Sequence, residues 1–477
     1  ILYAVKLTKV SLNFKQHGRA CLIVATVIFV CCLLGIFTRP IAYFAYFWPA
    51  NAVLIGLFLR FKPLRNVGGW LGAFIGYMSA DLVTGNHLEL TLALTIANFM
   101  TVGVSLFFIH YLQIDYRAYN KGLNFLYLFL VCVFLGCFSS AIFAVAVVPY
   151  MPHTFMSTQD LWAEFYIWWT GEVLNCISLL PLMLTFPAAK KLKYLWNNRR
   201  QCETQFVDVL PLLSVLISVA CTHLFFGPGA LLFPLAGLIW AALSYNLFYV
   251  SIINSLVCFV TYHSLTTYYI SRTADNFLAT SISVRIGLCM LMIAPLLLCI
   301  VSRNRHDLYK EVLYLANHDP LTHVGNRRFF FTQTENLLKE NLVKSMSIIV
   351  LDIDHFKKMN DQYGHYIGDV LLQSFATTVK SNLREQDLFA RMGGEEFVVV
   401  LNNTTEIESQ IIAERICRAV ATSKTQVAHA VLSMTVSLGV VHQVLPTKNS
   451  LQSLLNRADR ALYQAKTLGR NQVQLAS

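Results

Sequence analysis

The first 302 residues carry a succession of apolar runs that no water-soluble fold can bury. Ala20–Phe37 reads ACLIVATVIFVCCLLGIF, without a single charge. A helix needs about 20 mostly apolar residues to cross a bilayer core. Ten stretches meet that need, near 20–38, 42–59, 67–84, 89–113, 123–149, 162–187, 207–225, 230–246, 247–265 and 281–302. The eighth and ninth are separated only by SYN at 244–246, so eight spans is the alternative count. The chain as a whole is 56% hydrophobic and 13% charged, against about 25% charge in soluble proteins. That imbalance belongs to the first part alone. After Arg303 the sequence has the composition of an ordinary soluble α/β domain.

The net charge of +11 is explained by where it sits. Arg60, Lys62 and Arg65 fall in one loop, Arg117 and Lys121 in another, and Lys190 to Arg200 form a third cluster, whereas PYMPHTFMSTQD (149–160) has no basic Lys or Arg. This is the positive-inside pattern, and with ten spans it places both ends in the cytoplasm. The basic loops suit anionic lipid headgroups, and no nucleic acid partner is expected. Lys6, Lys9, Lys15 and Arg19 precede the first span, as in a retained membrane anchor. Eleven of the twelve cysteines precede Arg303 and no C-x-x-C pair occurs, so they read as small apolar packing residues. Ionisable residues inside spans are expensive and often functional. Asp81, Glu164, Glu172, Asp208 and Arg285 are the candidates. Asp81, Glu164 and Asp208 also fit span ends at headgroup level. Glu172, in YIWWTGEVLN, is the foremost candidate for a ligand or ion contact.

SRNRHDLYKEVLYLANHDPLT (302–322) leaves the last span. Leu308, Val312 and Leu315 recur at helical spacing, and Pro320 marks the end. The stripe suits a short coiled coil between two chains, or a stiff spacer.

Beyond His318 helices and strands alternate, with one hairpin, which suggests an α+β domain with one sheet and helices on its faces. In ARMGGEEFVVVL (390–401), Gly393-Gly394 is expected to be the two-residue turn, since both positions accept φ > 0. Glu395 and Glu396 then sit at the hairpin tip, where like charges repel. Asp352 and Asp354 end the apolar strand SMSIIVLDID. If the two strands are neighbours, these carboxylates meet at one rim, where hard oxygen ligands suit Mg²⁺. Lys357, Lys358, Lys466 and Arg470 supply positive charge for a polyphosphate, and there is no Walker loop.

Two resemblances sharpen this. FWPANAVLIGLFLR (47–60) and WLGAFIGYMSADL (70–82) resemble the membrane-associated sensor (MASE) domains of bacterial signalling proteins, across roughly 15–302. NHDPLTHVGNRRFF, VLDIDHFKKMNDQYGHYIGDVLL, LFARMGGEEFVVVL, MTVSLGV and ADRALYQAKTLGRNQV resemble, in order and spacing, the GGDEF diguanylate cyclases, across 318–477. The implied organisation is a polytopic helical sensor (1–302), a signalling helix (303–317) and a GGDEF domain (318–477) like the catalytic domain of adenylyl cyclases, with a central antiparallel sheet flanked by helices. The implied reaction joins two GTP into cyclic di-GMP with loss of two pyrophosphates, in a homodimer at the bacterial inner membrane.

The GGDEF resemblance also implies roles. Asp352, the Ile353 carbonyl, Glu395 and Glu396 correspond to ligands of Mg²⁺, with Mn²⁺ as the alternative, and Glu395 to the proton acceptor. Asn360 and Asp369 correspond to the guanine-reading pair, and His365 to a substrate contact. Phe356, Lys357, Lys466 and Arg470 correspond to phosphate contacts. Arg384, Asp387 and Arg415 correspond to an inhibitory product site. His323 and Gly325 depart from the family pattern at the domain's entrance. A non-catalytic cyclic di-GMP receptor and a transporter with a regulatory domain are the competing readings.

Overall fold

A computed structural model describes residues 2–38, 47–118, 121, 124–188, 206–225, 228–267, 277–339, 343–427, 430–445 and 450–476. Residues 42–46 of the second expected span and the Lys190–Arg200 cluster lie outside the described residues. The chain divides into two units, Ile1–His306 and Asp307–Ser477.

The first unit is entirely helical among its described residues: α1 (Leu2–Phe37), α2 (Ala50–Arg60), α3 (Val67–Val83), α4 (Leu88–Tyr111), α5 (Asn124–Tyr150), α6 (Leu161–Thr185), α7 (Phe206–Leu224), α8 (Phe233–Ser244), α9 (Leu247–Leu265) and α10 (Phe277–Asn317). Seven of these are long and apolar enough to cross a membrane, while α2, α3 and α8 are shorter apolar helices. Each expected span therefore has an apolar helix, but three fall short of crossing length. Side-chain caps fix several starts. Asn66 accepts from the Gly69 amide, Asp160 from Ala163, and Asn246 from Phe248 and Tyr249. In α5 the segment Val131–Cys137 is π-helical.

Helix α3 lies on α1 through a small-residue stripe. A Cβ on Gly68, Gly72 or Gly76 would fall 2.0, 2.3 or 2.9 Å from the carbonyl oxygens of His17, Cys21 and Ala25. Membrane helices pack by such close backbone approach, because lipid tails give no hydrophobic reward for helix contact. The described cysteines are free thiols. Asp81 lies near the end of α3, and Glu164 and Asp208 lie in the first turns of α6 and α7, whereas Glu172 and Arg285 are buried within α6 and α10.

The second unit begins with the last turns of α10, where Leu308, Val312 and Leu315 are exposed. Its elements are β1 (Gly325–Asn326), α11 (Arg327–Lys339), β2 (Ser345–Ile353), α12 (Phe356–Tyr363), α13 (His365–Lys380), β3 (Leu388–Gly393), β4 (Glu396–Asn402), α14 (Glu406–Thr422), β5 (Thr425–Val427), β6 (Ala430–Leu432), β7 (Val436–Val444), α15 (Leu451–Thr467) and β8 (Val473–Leu475). The main sheet has order β1-β3-β4-β2-β7-β8. Its four central strands are antiparallel and its short edge strands pair in parallel. Strand β2 is apolar at nearly every residue because both faces are covered. Ile349, Leu351 and Ile353 join Phe397, Val399 and the α13 and α14 side chains Phe375 and Ile416. Ile348 and Val350 join Val398, Val400 and Leu454 and Leu462 of α15. A strand buried on both faces loses the polar alternation of a half-exposed one.

Candidate active site

The antiparallel register places Asp352 directly between Glu396 of β4 and Ser437 of β7. Asp352 and Glu396, one from each strand end, thus stand side by side at one rim. The hairpin closes one residue later than the sequence suggested. Gly393 pairs with Glu396, so Gly394 and Glu395 form the turn, and a register shift lies between Arg391 and Gly393. Gly394 takes φ +53°, the left-handed value that glycine tolerates without a Cβ penalty. Gly393 sits at φ +150° as the last strand residue, so both glycines are used, in different ways.

Lys466, from the end of α15, holds its ammonium 2.8 Å from Asp352 Oδ2. Burial pushes the Asp352 carboxyl upward, Lys466 pulls it down, and the neighbouring Asp354 adds to the rise; the net shift is upward. Glu395 is raised too, first by burial and then by the Asp352 charge, with Lys466 opposing. Lys466, expected as a phosphate contact, here has its ammonium on a carboxylate. Asp354, by contrast, points away into a structural knot. It accepts from Thr435 Oγ1 at 2.8 Å, Ser437 Oγ at 2.7 Å and the Asn471 amide at 3.0 Å. That last bond anchors the loop in which Arg470 and Asn471 adopt left-handed backbone. Asp354 is therefore a positioning residue for the Arg470 loop, a role its spacing did not reveal.

A second unforeseen residue is Arg391. Its guanidinium donates twice to the Gly394 carbonyl, at 2.9 and 2.7 Å, and once to Asp319 Oδ1 at 3.1 Å. Asp319 also accepts from the Thr322 amide and hydroxyl. Burial raises its pKa, but the Thr322 and Arg391 bonds outweigh that, so it is lowered overall. The turn that carries Glu395 is thus tied to the domain's entrance, 72 residues earlier in the chain.

His355, in left-handed conformation, turns the chain from β2 into α12. Phe356 is buried in the core, which leaves its backbone, not its ring, available to a ligand; Lys357 is exposed. The Asn360 carboxamide lies against Gly368, where a Cβ would stand 1.8 Å from Asn360 Oδ1. That buried oxygen has no hydrogen-bond partner. His365 and Asp369 flank Gly368 on the first turns of α13 and are exposed.

Arg384, Asp387 and Arg415 gather elsewhere. Arg384 and Arg415 line a cavity of about 270 Å³ with Ser381, Asn382, Leu383 and Ile412. The Arg384 amide donates to Asp387 Oδ2 at 2.9 Å, and Arg415 Nη2 to the Asn382 carbonyl at 2.6 Å. Asp387 Oδ1 is buried without a partner.

Residues 20–307 match the MASE1 family, and residues 316–472 match the family described as diguanylate cyclase, GGDEF domain. Probable diguanylate cyclase DgcF of Escherichia coli O157:H7 is 26% identical over 449 residues, covering 92% of this chain and 90% of that protein. Response regulator PleD of Caulobacter vibrioides is 43% identical over 175 residues, 36% of this chain and 38% of that protein. The crystal structure of the coiled coil and GGDEF domain of DgcB from Caulobacter crescentus, in complex with c-di-GMP, is similar at 29% identity and TM-score 0.34, covering 37% of this chain and 93% of that one. The chain belongs to the MASE1 family of membrane sensors, joined to a GGDEF domain of the diguanylate cyclases.

Proposed function

We propose that this protein condenses two GTP into cyclic di-GMP and two pyrophosphates, at the bacterial inner membrane with its second unit in the cytoplasm. The observation that supports this best is that Asp352, paired with Lys466, lies opposite Glu396 at the sheet rim, beside the turn that carries Glu395. The donor set fits Mg²⁺ or Mn²⁺. It is all oxygen, from Asp352, Glu395, Glu396 and the Ile353 carbonyl, and two of its carboxyls are raised in pKa, first by burial and then by neighbouring carboxylates. When bound, the metal would neutralise charge growing on the phosphate oxygens.

The chain's own groups supply the rest. Glu395, partly exposed at the turn, accepts the proton of the 3′-hydroxyl as its oxygen attacks the α-phosphorus and the bond to pyrophosphate breaks. Its raised pKa improves it as an acceptor. Lys466, Arg470 and Lys357 hold the phosphates, aided by the backbone at the start of α12. The orphaned Asn360 Oδ1 accepts from a guanine N–H, and Asp369 accepts from the same edge, with His365 beside them. Each unit holds one GTP, so two copies must face each other. The exposed Leu308, Val312 and Leu315 of α10 support pairing as a homodimer. The cavity lined by Arg384 and Arg415, with Asp387 bonded to the Arg384 amide beside it, is the site for inhibitory product, where two guanidiniums meet phosphates and the free Asp387 oxygen meets guanine.

Detergent-solubilised full chain is incubated with GTP and Mg²⁺, and cyclic di-GMP is detected by mass. The wild type makes product and Glu395→Gln does not. Added product slows the wild type and leaves Arg384→Ala unaffected. Equal yields from wild type and Glu395→Gln would refute the assignment.

A further inference from the structure

The membrane unit holds a polar constellation that the cyclase chemistry does not use. Glu172, midway along α6, is 7% exposed, and no cationic side chain pairs with it among the described residues. The Asn51 Nδ2 atom stands 2.8 Å from both Glu172 oxygens and 2.9 Å from Asn98 Oδ1. Thr101 Oγ1 lies 3.5 Å from Glu172 Oε2, and Trp48 Nε1 donates to Asn98 Oδ1 at 3.2 Å. Tyr77 donates to Asn51 Oδ1 at 2.6 Å. Asn51, Asn98, Thr101 and Tyr77 are all buried.

A second observation concerns the backbone. Helix α2 has 11 residues and starts at Ala50, with non-helical chain at 47–49. Its length of about 16 Å is half a bilayer core. Its first turn, which carries Asn51, lies level with the middles of α4 and α6, through Asn98 and Glu172. Irregular backbone at that depth is tolerated only when buried in protein or lining a cavity, and broken helices mark ligand sites in transporters. The positive end of α2 supplies about half a charge.

The contacts also indicate the missing group. Three oxygens, two of them on one carboxylate, surround a single nitrogen at 2.8–2.9 Å. An amide nitrogen has only two hydrogens. An ammonium has three, and N⁺–H···O⁻ bonds run at about 2.7–2.9 Å. Sodium would need shorter contacts, and potassium more oxygens than the three gathered here.

We infer that Glu172, Asn98 and Thr101 form the ligand site of the membrane unit, for a small molecule bearing a primary ammonium that displaces the Asn51 carboxamide. Displacement breaks the Asn51 bonds to Glu172 and Asn98, so occupancy changes how α2 is held against α4 and α6.

The test uses full-length protein in lipid nanodiscs and reads thermal unfolding, independent of cyclase activity. Methylammonium chloride is titrated against NaCl and KCl at equal ionic strength. Methylammonium alone gives a saturable rise in melting temperature, of roughly 5 °C at a hundredfold excess over its dissociation constant. Glu172→Gln, close in shape, abolishes that rise. Asn51→Ala removes the internal competitor and lowers the methylammonium concentration needed about tenfold; this arm stands even if Glu172→Gln does not fold. Equal responses to the three salts, no response in the wild type, or a response unchanged in Asn51→Ala would overturn the inference.

Discussion

Gly368→Ala separates substrate recognition from the metal site. The new methyl would lie 1.8 Å from Asn360 Oδ1 and 3.3 Å from Phe356 Cζ. The Phe356 contact needs a shift of only a few tenths of an ångström. The Asn360 contact cannot persist, so the carboxamide must rotate out. Asn360 is half-buried at the end of a flexible side chain, which makes rotation cheap. Alanine also gains up to about 1 kcal/mol of helix propensity over glycine in α13. The melting temperature should therefore change by no more than a few degrees. The loss falls on nucleotide binding. One buried hydrogen bond to the base is worth about 1–2 kcal/mol, so KM for GTP rises about 5- to 30-fold. The kcat should stay within about threefold, because Asp352, Glu395 and Lys466 are untouched. Steady-state kinetics on the full chain, with unfolding measured in parallel, reads both effects. An unchanged KM, or a kcat that collapses while KM holds, would refute the role given to Asn360.

Three further substitutions or conditions follow from the same geometry. Glu395→Gln abolishes product yet leaves stability equal or higher by up to about 1 kcal/mol, because it relieves repulsion with Asp352 at a mostly exposed turn; chemical denaturation checks this. Asp354→Asn loses about 2–3 kcal/mol, since the amide cannot accept from Thr435, Ser437 and the Asn471 amide together, and its KM for GTP rises as the Arg470 loop loosens. In the metal-free protein, Asp352 and Glu395 bind protons more tightly when folded than when unfolded. Local stability at the rim should therefore fall as pH rises from the ordinary carboxylate range through the raised values, and saturating Mg²⁺ should remove that slope. Hydrogen exchange of the β2 and β4 amides would show it, and a metal-independent slope would count against the metal ligands.

The chain's architecture was readable where pattern is local. The apolar runs of α1, α4 and α6 and the buried strands β2, β4 and β7 announce themselves by length and composition. What escaped reading depends on contacts distant in sequence, or on a single residue of register. The shift between Arg391 and Gly393 moved the turn by one residue, and two adjacent glycines gave no means of choosing. Asp354 looked equivalent to Asp352, yet it lies one residue past the end of β2, where the chain turns, and its carboxylate is taken up by Thr435, Ser437 and the Asn471 amide while Asp352 stays at the rim. Arg391 carries no local signature, because its bond to Asp319 spans 72 residues of chain. The shortness of α2 was concealed because Phe47–Pro49 are as apolar as the helix they precede.

Lys466 has a consequence for the order in which the active site fills. On the proposed function, its ammonium neutralises Asp352 before nucleotide binds. A divalent cation arriving alone must compete with a covalently tethered rival that never diffuses away. A nucleotide arriving first offers the lysine a triphosphate, and Asp352 is unmasked as the ammonium swings over. Uptake of the two is then mutually dependent: each lowers the barrier to the other, and neither is stored without its partner. On the proposed function, metal affinity measured on the empty protein understates the working value, and the cost of breaking the Lys466–Asp352 pair is one part of that gap.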